Sequence, residues 1–270
     1  MDFKDILVIS DLDGTLIDQN FTVSERNRSA IERFKRNGGH FAVATGRSLE
    51  SGAQYFAAVS PNSPCVILNG TVIYDFNEKK ILWNQLLDFE STRLYVEKIR
   101  NRFPKTGVEI FSTMSLGAVH YNKYIGDHLS REGINCDENE SDIFDGRPLC
   151  KVLLADDADV IQNIIAFTNT FEHKEVRFVT SSEYYLEMLP VHADKGTALK
   201  EVIRRCGFSA ENVYAIGDYY NDVELLEAAG FAAMPKNAPD DLKRLADLVV
   251  CSCDDGAVAD LIEYIEQKVK

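Results

Sequence analysis

Short apolar runs alternate along the chain with longer stretches whose apolar residues recur at helical spacing. "DILVIS" (5–10) is almost continuously apolar, as expected of a central parallel strand covered on both faces. "TVSERNRSAIERFKRNGG" (22–39) has helical periodicity, with Thr22 placed to cap it, Glu25 three residues on, and Gly38 or Gly39 to stop it. A strand "HFAVATG" (40–46), a helix over about 48–59 and a strand "PCVILNG" (64–70) follow. This rhythm predicts an α/β fold with a parallel sheet and right-handed crossovers.

The rhythm changes after Gly70. "TVIYDFNEKKILWNQLL" (71–87) has the pattern of a hairpin turning at Asn77. Beyond it come a helix near 90–102, a stretch from 107 to 146 with no clear period, a strand "KVLLA" (151–155), a helix near 159–171, and strands "EVRFVT" and "YYLEML". The α/β pattern resumes with the helix of "HADKGTALKEVIRRCG" and the strand "VYAIG". The helix "NDVELLEAAG", the strand "FAAM", the helix "APDDLKRLA", the strand "LVV" and a closing helix over 256–268 complete it. The expected organisation is a parallel-sheet core from residues 1–82 and 190–270, with an α/β cap domain inserted at 83–189.

Composition narrows the class. With 270 residues and 45% apolar composition, the chain can bury a sizeable core, and it contains no run long enough to cross a bilayer. The opening "MDFKDILVIS" is acidic where a secretory signal would be basic, so the chain is expected to be soluble and cytoplasmic. The six cysteines form no C-x-x-C pair and are expected to be free thiols. A formal charge of −14 opposes binding to nucleic acid or an anionic membrane, but leaves open a small phosphorylated substrate whose pocket supplies its own cation.

The candidate chemistry lies at the strand ends. In "DLDGT" (11–15), Asp11 and Asp13 are two apart in an extended backbone and therefore face one pocket, while Leu12 points away. A lone D-x-D after a strand is also an ordinary turn or capping arrangement. Two carboxylates that close need a cation, a shared proton or distinct protonation states. Magnesium is the economical answer because it prefers hard oxygen ligands. Asp218 in "GDYYND" marks another strand end, with Asp222 one helical turn further. Lys195 at a helix start, and Thr45 with Gly46 after "FAVA", can meet phosphate oxygens. Arg47 serves either the site or a loop salt bridge, and Asn69 either the site or the "NG" turn.

Taken together, "DLDGT", "TGR", "NG", "DKG" and "GDYYND" resemble the motifs of haloacid dehalogenase superfamily phosphatases of the Cof-like branch, in the family's order and over nearly the whole chain. The resemblance implies that Asp11 attacks phosphorus to form an aspartyl phosphate, and that Asp13 protonates the leaving oxygen and then activates water. It implies magnesium held by Asp11 and Asp218 side chains and the Asp13 carbonyl, phosphate oxygens held by Thr45 and Lys195, and support from Asn221 and Asp222. The expected activity is hydrolysis of a small phosphomonoester, a sugar phosphate or related metabolite. A phosphomutase or other phosphotransferase is the alternative, and a non-enzymatic phosphometabolite-binding regulator is a remote third reading. Tyr184, Glu187 and His192, near the return from the cap, and Tyr219 beside Asp218 are candidates for contacting the organic part of the substrate. Packing or surface roles are the plainer readings of Tyr219 and His192. Pro235 and Lys236 depart from the family's usual glycine-centred turn.

Overall fold

The computed structural model describes residues 2–113, 116–134 and 147–269. In chain order the elements begin with β1 (Leu7–Ser10), α1 (Glu25–Arg36), β2 (His40–Val43), α2 (Ala53–Val59), β3 (Cys65–Ile67), β4 (Val72–Asp75) and β5 (Lys80–Asn84). They continue with α3 (Phe89–Arg102), β6 (Gly107–Ser112), β7 (Leu116–His120), α4 (Lys123–Glu132), β8 (Leu149–Ala155), α5 (Ala158–Thr168), β9 (Val176–Ser182) and β10 (Tyr185–Pro190). The last are α6 (Lys195–Cys206), β11 (Val213–Ile216), α7 (Val223–Ala228), β12 (Phe231–Pro235), β13 (Leu248–Val250) and α8 (Ala257–Lys268). Two compact units result: 1–46, 52–83 and 194–270 form the first, and 47–51 with 84–193 the second.

The first unit holds a five-stranded parallel sheet in the order β13-β12-β11-β1-β2. All four residues of β1 are fully buried, so both faces of the sheet are covered, as the uninterrupted apolar run predicts. Helix α1 packs on α8, and α6 on α7. The register sets Ser10 opposite both Ile216 and Val43, so three strands end at the same level.

Local chemistry differs from the sequence expectation at four places. Ser24, in extended conformation, caps α1 by accepting from the Asn27 N–H, whereas Thr22 hydrogen-bonds the Asp18 carboxylate. The third strand of the series, β3, meets the parallel sheet only through an Ala44–Val66 bridge and pairs antiparallel with β4 in a separate β3-β4-β5 sheet. In the turn between β4 and β5, Asp75 supplies the chemistry by accepting from the N–H groups of Asn77 and Glu78. The stretch 238–246 forms only a short 3₁₀ turn at Lys243–Leu245, with Ala238 and Leu242 buried but Leu245 and Ala246 only partly so.

The second unit is built on a fully antiparallel sheet, β7-β6-β8-β10-β9. Alternation gives it two unlike faces. Val108, Ile110, Val152, Leu154, Leu186 and Met188 pack with Val96 and Ile99 of α3 and Ile161 and Ile164 of α5. The opposite face presents Glu109, Phe111, Lys151 and Glu187, all buried. Among the described residues no cysteine forms a disulfide, and Cys136 lies outside them. No helix among the described residues is long and apolar enough to cross a membrane.

Candidate active site

Asp11 is the first residue past β1, where its N–H still donates to the Ile216 carbonyl of β11. Gly14 then turns the chain with φ +76°, and a Cβ there would stand 2.5 Å from Asp218 Oδ2, so only glycine admits Asp218 this close. Thr15 Oγ1 donates to Asp218 Oδ1 at 3.0 Å. Asp13 is exposed.

Lys195 opens α6, whose N-cap Asp194 accepts from the Thr197 N–H at 2.6 Å. Its Nζ donates to Asp11 Oδ1 and to Asp222 Oδ1, each at 2.6 Å, and the side chain is 1% exposed. Asp222 Oδ2 accepts the N–H groups of Asp218 and Tyr219, at 3.0 and 3.1 Å. Both Asp222 oxygens are thus engaged, whereas Asp11 Oδ2 has no hydrogen bond among the described residues.

Asp11, Asp218 and Asp222 offer carboxylate oxygens within 4.8 Å of one another. One lysine cannot neutralise three carboxylates. Burial pushes the Asp11 carboxyl well above its ordinary range; Lys195 pulls it down, and Asp222, Asp218 and Asp13 push it further up. Burial, joined by the charge of Asp222, raises Asp218 to about 7 against the Thr15 hydrogen bond and the Lys195 charge. Burial alone would depress Lys195, but Asp11 and Asp222 outweigh it and hold the ammonium well above its usual value. A hard divalent cation would relieve this excess of negative charge, so the donor set fits a divalent-metal site.

Thr45 follows β2 at the neighbouring strand end, its N–H bonded to the Val66 carbonyl and its carbonyl accepting from the Asn69 N–H at 3.0 Å. Leu68, Asn69 and Gly70 take φ values of 50°, 54° and 93° in succession. For a residue other than glycine the left-handed region costs roughly 1–2 kcal/mol, so this turn is held by its surroundings. Asn221 Nδ2 donates to Asn69 Oδ1 at 3.3 Å.

Of the remaining candidates, Arg47, Tyr184, Glu187 and His192 belong to the second unit and Tyr219 to the first. Arg47 groups with the second unit, where its Nη1 lies 3.3 Å from Glu132 Oε1. Glu187 is buried, 3.4 Å from Lys151 Nζ. Tyr184 stacks on Tyr124 with ring centroids 5.2 Å apart, and His192 lies exposed in the turn after β10. Tyr219 is exposed and edge-on to Tyr220, whose hydroxyl donates to Asp241. Two contributors escape the sequence patterns. Thr15 lies within "DLDGT", but nothing local marks it as a partner of Asp218. Asn237 donates to the Gly14 carbonyl at 2.8 Å and accepts from the Cys253 N–H, tying down the Asp11–Thr15 loop from the "MPKNA" turn.

A family model described as haloacid dehalogenase-like hydrolase matches residues 8–262. Phosphatase YwpJ of Bacillus subtilis is 26% identical, with 96% of this chain and 99% of the relative covered. The 5-amino-6-(5-phospho-D-ribitylamino)uracil phosphatase YcsE of the same organism is 25% identical, with 96% and 94% covered. A crystal structure of a haloacid dehalogenase-like hydrolase from Bacteroides thetaiotaomicron shares the fold at TM-score 0.89 and 24% identity, covering 97% of this chain and all of that one. Since the match runs from β1 into α8 and the strand-end carboxylates fall within it, the chain belongs to the haloacid dehalogenase-like hydrolases, in their Cof-like phosphatase branch.

Proposed function

We propose that the enzyme is a magnesium-dependent phosphatase acting on a small phosphomonoester, a sugar phosphate or related metabolite. The observation that supports this most directly is the asymmetry of Asp11: Oδ1 is held by Lys195, while Oδ2 has no hydrogen bond among the described residues, beside a cluster that calls for a cation. In this reading Asp11 Oδ2 attacks phosphorus and the ester P–O bond breaks, with Asp13 giving its proton to the departing oxygen. Asp13 then takes a proton from water as the water oxygen attacks the aspartyl phosphate, releasing inorganic phosphate and restoring Asp11. Thr45, Gly46 and Lys195 hold the phosphoryl oxygens. Asp222 positions Lys195, and Asn221 steadies the loop that bears Asp218 and Asp222. Magnesium, ligated by the Asp11 and Asp218 side chains and the Asp13 carbonyl, would supply charge stabilisation for the transferring group.

The second unit serves as the cap that selects the organic portion, with Tyr184 and Glu187 as its candidate selectivity residues. Arg47, His192 and Tyr219 are further candidates for contact with substrate. The name of YcsE puts the phosphate ester of a polyol-bearing heterocycle among the compounds to try. A screen of phosphorylated metabolites with magnesium, and with chelator, tests the reading. Magnesium-dependent release of inorganic phosphate is expected, and isomeric sugar phosphate without release would identify a mutase instead. In the same screen Tyr184→Ala and Glu187→Gln should reorder substrate preference and leave magnesium affinity unchanged; an unaltered ranking removes both residues from the selectivity role.

The Asp218 carboxyl gives a pH test. Without the ion it titrates near 7, so below that pH metal binding must displace a proton. Apparent magnesium affinity should therefore fall by at least about tenfold per pH unit below neutrality, the slope for the Asp218 proton alone. The magnesium-induced rise in melting temperature should be large at pH 8 and small at pH 5.5, and Asp218→Asn should make the dependence shallower, with the raised Asp11 carboxyl supplying what remains. An equal rise at both pH values in the unaltered protein would remove Asp218 from the metal site.

A further inference from the structure

The turn Leu68–Gly70 touches three of the four segments that build the site, all within the first unit. Its Asn69 N–H binds the Thr45 carbonyl. The Asn69 side-chain amide lies flat against Gly46: a Cβ on Gly46 would meet Asn69 Oδ1 at 3.0 Å and Nδ2 at 3.2 Å. The same Oδ1 accepts from Asn221 Nδ2, in the loop that carries Asp218 and Asp222. One residue on, a Cβ on Gly70 would fall 2.1 Å from the Asp194 carbonyl and 2.8 Å from the Lys195 nitrogen, so the turn is pressed against the start of α6.

Two successive non-glycine residues in the left-handed region are an unfavourable way to end a strand, and an ordinary turn would not need them. What the conformation achieves is placement. It brings one buried amide to a point where it bears on the Thr45–Gly46 backbone and on Asn221 together. The geometry points to Asn69 as a positioning residue: its amide braces the Thr45–Gly46 segment against the Asn221 loop, holding the phosphate cradle and the Asp218–Asp222 arm in a fixed relation. This rests on the phosphatase reading for what the cradle binds, and it replaces direct substrate contact as the role of Asn69. A brace of this kind acts on phosphate affinity and turnover, because misplacement on the order of 1 Å in such a site costs about 100-fold in rate.

Asn69→Gly separates the brace from the turn, since glycine keeps the left-handed backbone and loses the amide. Gly46→Ala attacks the same contact from the other side, and Asn221→Ala removes the second anchor without touching the turn. Inorganic phosphate binding in magnesium, read by calorimetry, and kcat/KM for a phosphomonoester are measured beside the melting temperature. The expected result for Asn69→Gly and Asn221→Ala is at least about tenfold weaker phosphate binding and about 10- to 100-fold lower kcat/KM, with little change in melting temperature. The double variant should be scarcely worse than either single one, because both cut the same strut. Wild-type phosphate affinity in Asn221→Ala, or full multiplication of the two effects, would overturn the proposal, and Asn221→Ala decides the question even if the Asn69 variant fails to fold. Calorimetry needs no turnover, so a chain that binds phosphate but releases none from esters fails the hydrolytic reading and leaves the Asn69 result standing.

Discussion

Asp11→Asn should abolish magnesium-dependent phosphate release, by at least about 10³-fold in kcat, without unfolding the protein. The substitution preserves shape and keeps an oxygen to accept from Lys195 Nζ. It removes the oxygen whose attack the proposed mechanism requires. The electrostatics add a second, less obvious expectation. Burial and three neighbouring acids raise the Asp11 carboxyl far above its unfolded value, so the folded state disfavours its charge. A group with a raised carboxyl pKa contributes stability that is lost as pH rises through the interval between the unfolded and folded values. The neutral asparagine is free of that penalty at pH 7, so the metal-free variant should melt no lower than the wild type. Loss of turnover at undiminished stability is the pattern of a residue kept for chemistry at the expense of the fold. Turnover within tenfold of the wild type would dismiss Asp11 as the nucleophile, and loss of turnover through unfolding would show as a lowered melting temperature.

The sequence exposes the site's chemistry more fully than its bracing. "DLDGT", "DKG" and "GDYYND" are local signals, and the parallel register that aligns Ser10, Val43 and Ile216 follows from strands whose apolar runs are plain. The hydrogen bonds from Thr15 to Asp218 and from Asn237 to Gly14 join segments more than 200 residues apart and leave no periodic trace in either. Pro235 and Lys236 depart from the family's turn, yet the next residue, Asn237, supplies the link to the Asp11–Thr15 loop. In the second unit, strand β6 is illegible because Glu109 interrupts its apolar pattern although fully buried, whereas β8 and β10 stay legible despite the buried Lys151 and Glu187. A sheet face that buries charge defeats a reading that equates burial with apolar character. The same limit hides the character of the turn at 68–70. "NG" announces a turn, but the left-handed leucine before it is imposed by packing, against that residue's own preference.

Lys195→Met should be the most damaging single change to both stability and activity. Methionine fills much the same space, so the consequences are electrostatic. Lys195 is the shared donor to Asp11 and Asp222, two carboxylates that are themselves buried. Removing one partner of a buried ion pair costs about 3–5 kcal/mol, because the charges left behind have neither water nor counterion. In a chain of this size that corresponds to a melting temperature lower by roughly 10 °C. The sign of the pH dependence follows from the same charges. In wild type the raised lysine pKa means that its stabilising contribution is fully present at neutral pH and is lost only in alkali. In the variant the Asp11 carboxyl, already raised by burial, loses the ammonium that pulls it down and takes up a proton more readily when folded than when unfolded, so the deficit should be greatest above neutrality and shrink toward pH 4. Magnesium separates the two roles of the ammonium. With Asp11 and Asp218 still present, added magnesium should restore part of the lost melting temperature, while phosphate release stays depressed by at least about 10²-fold for want of the cation at the phosphoryl oxygens. Full recovery of turnover with the recovered stability would show that Lys195 only neutralises the carboxylates. Persistence of the catalytic defect in a magnesium-stabilised protein is the outcome that requires the ammonium to meet phosphate directly.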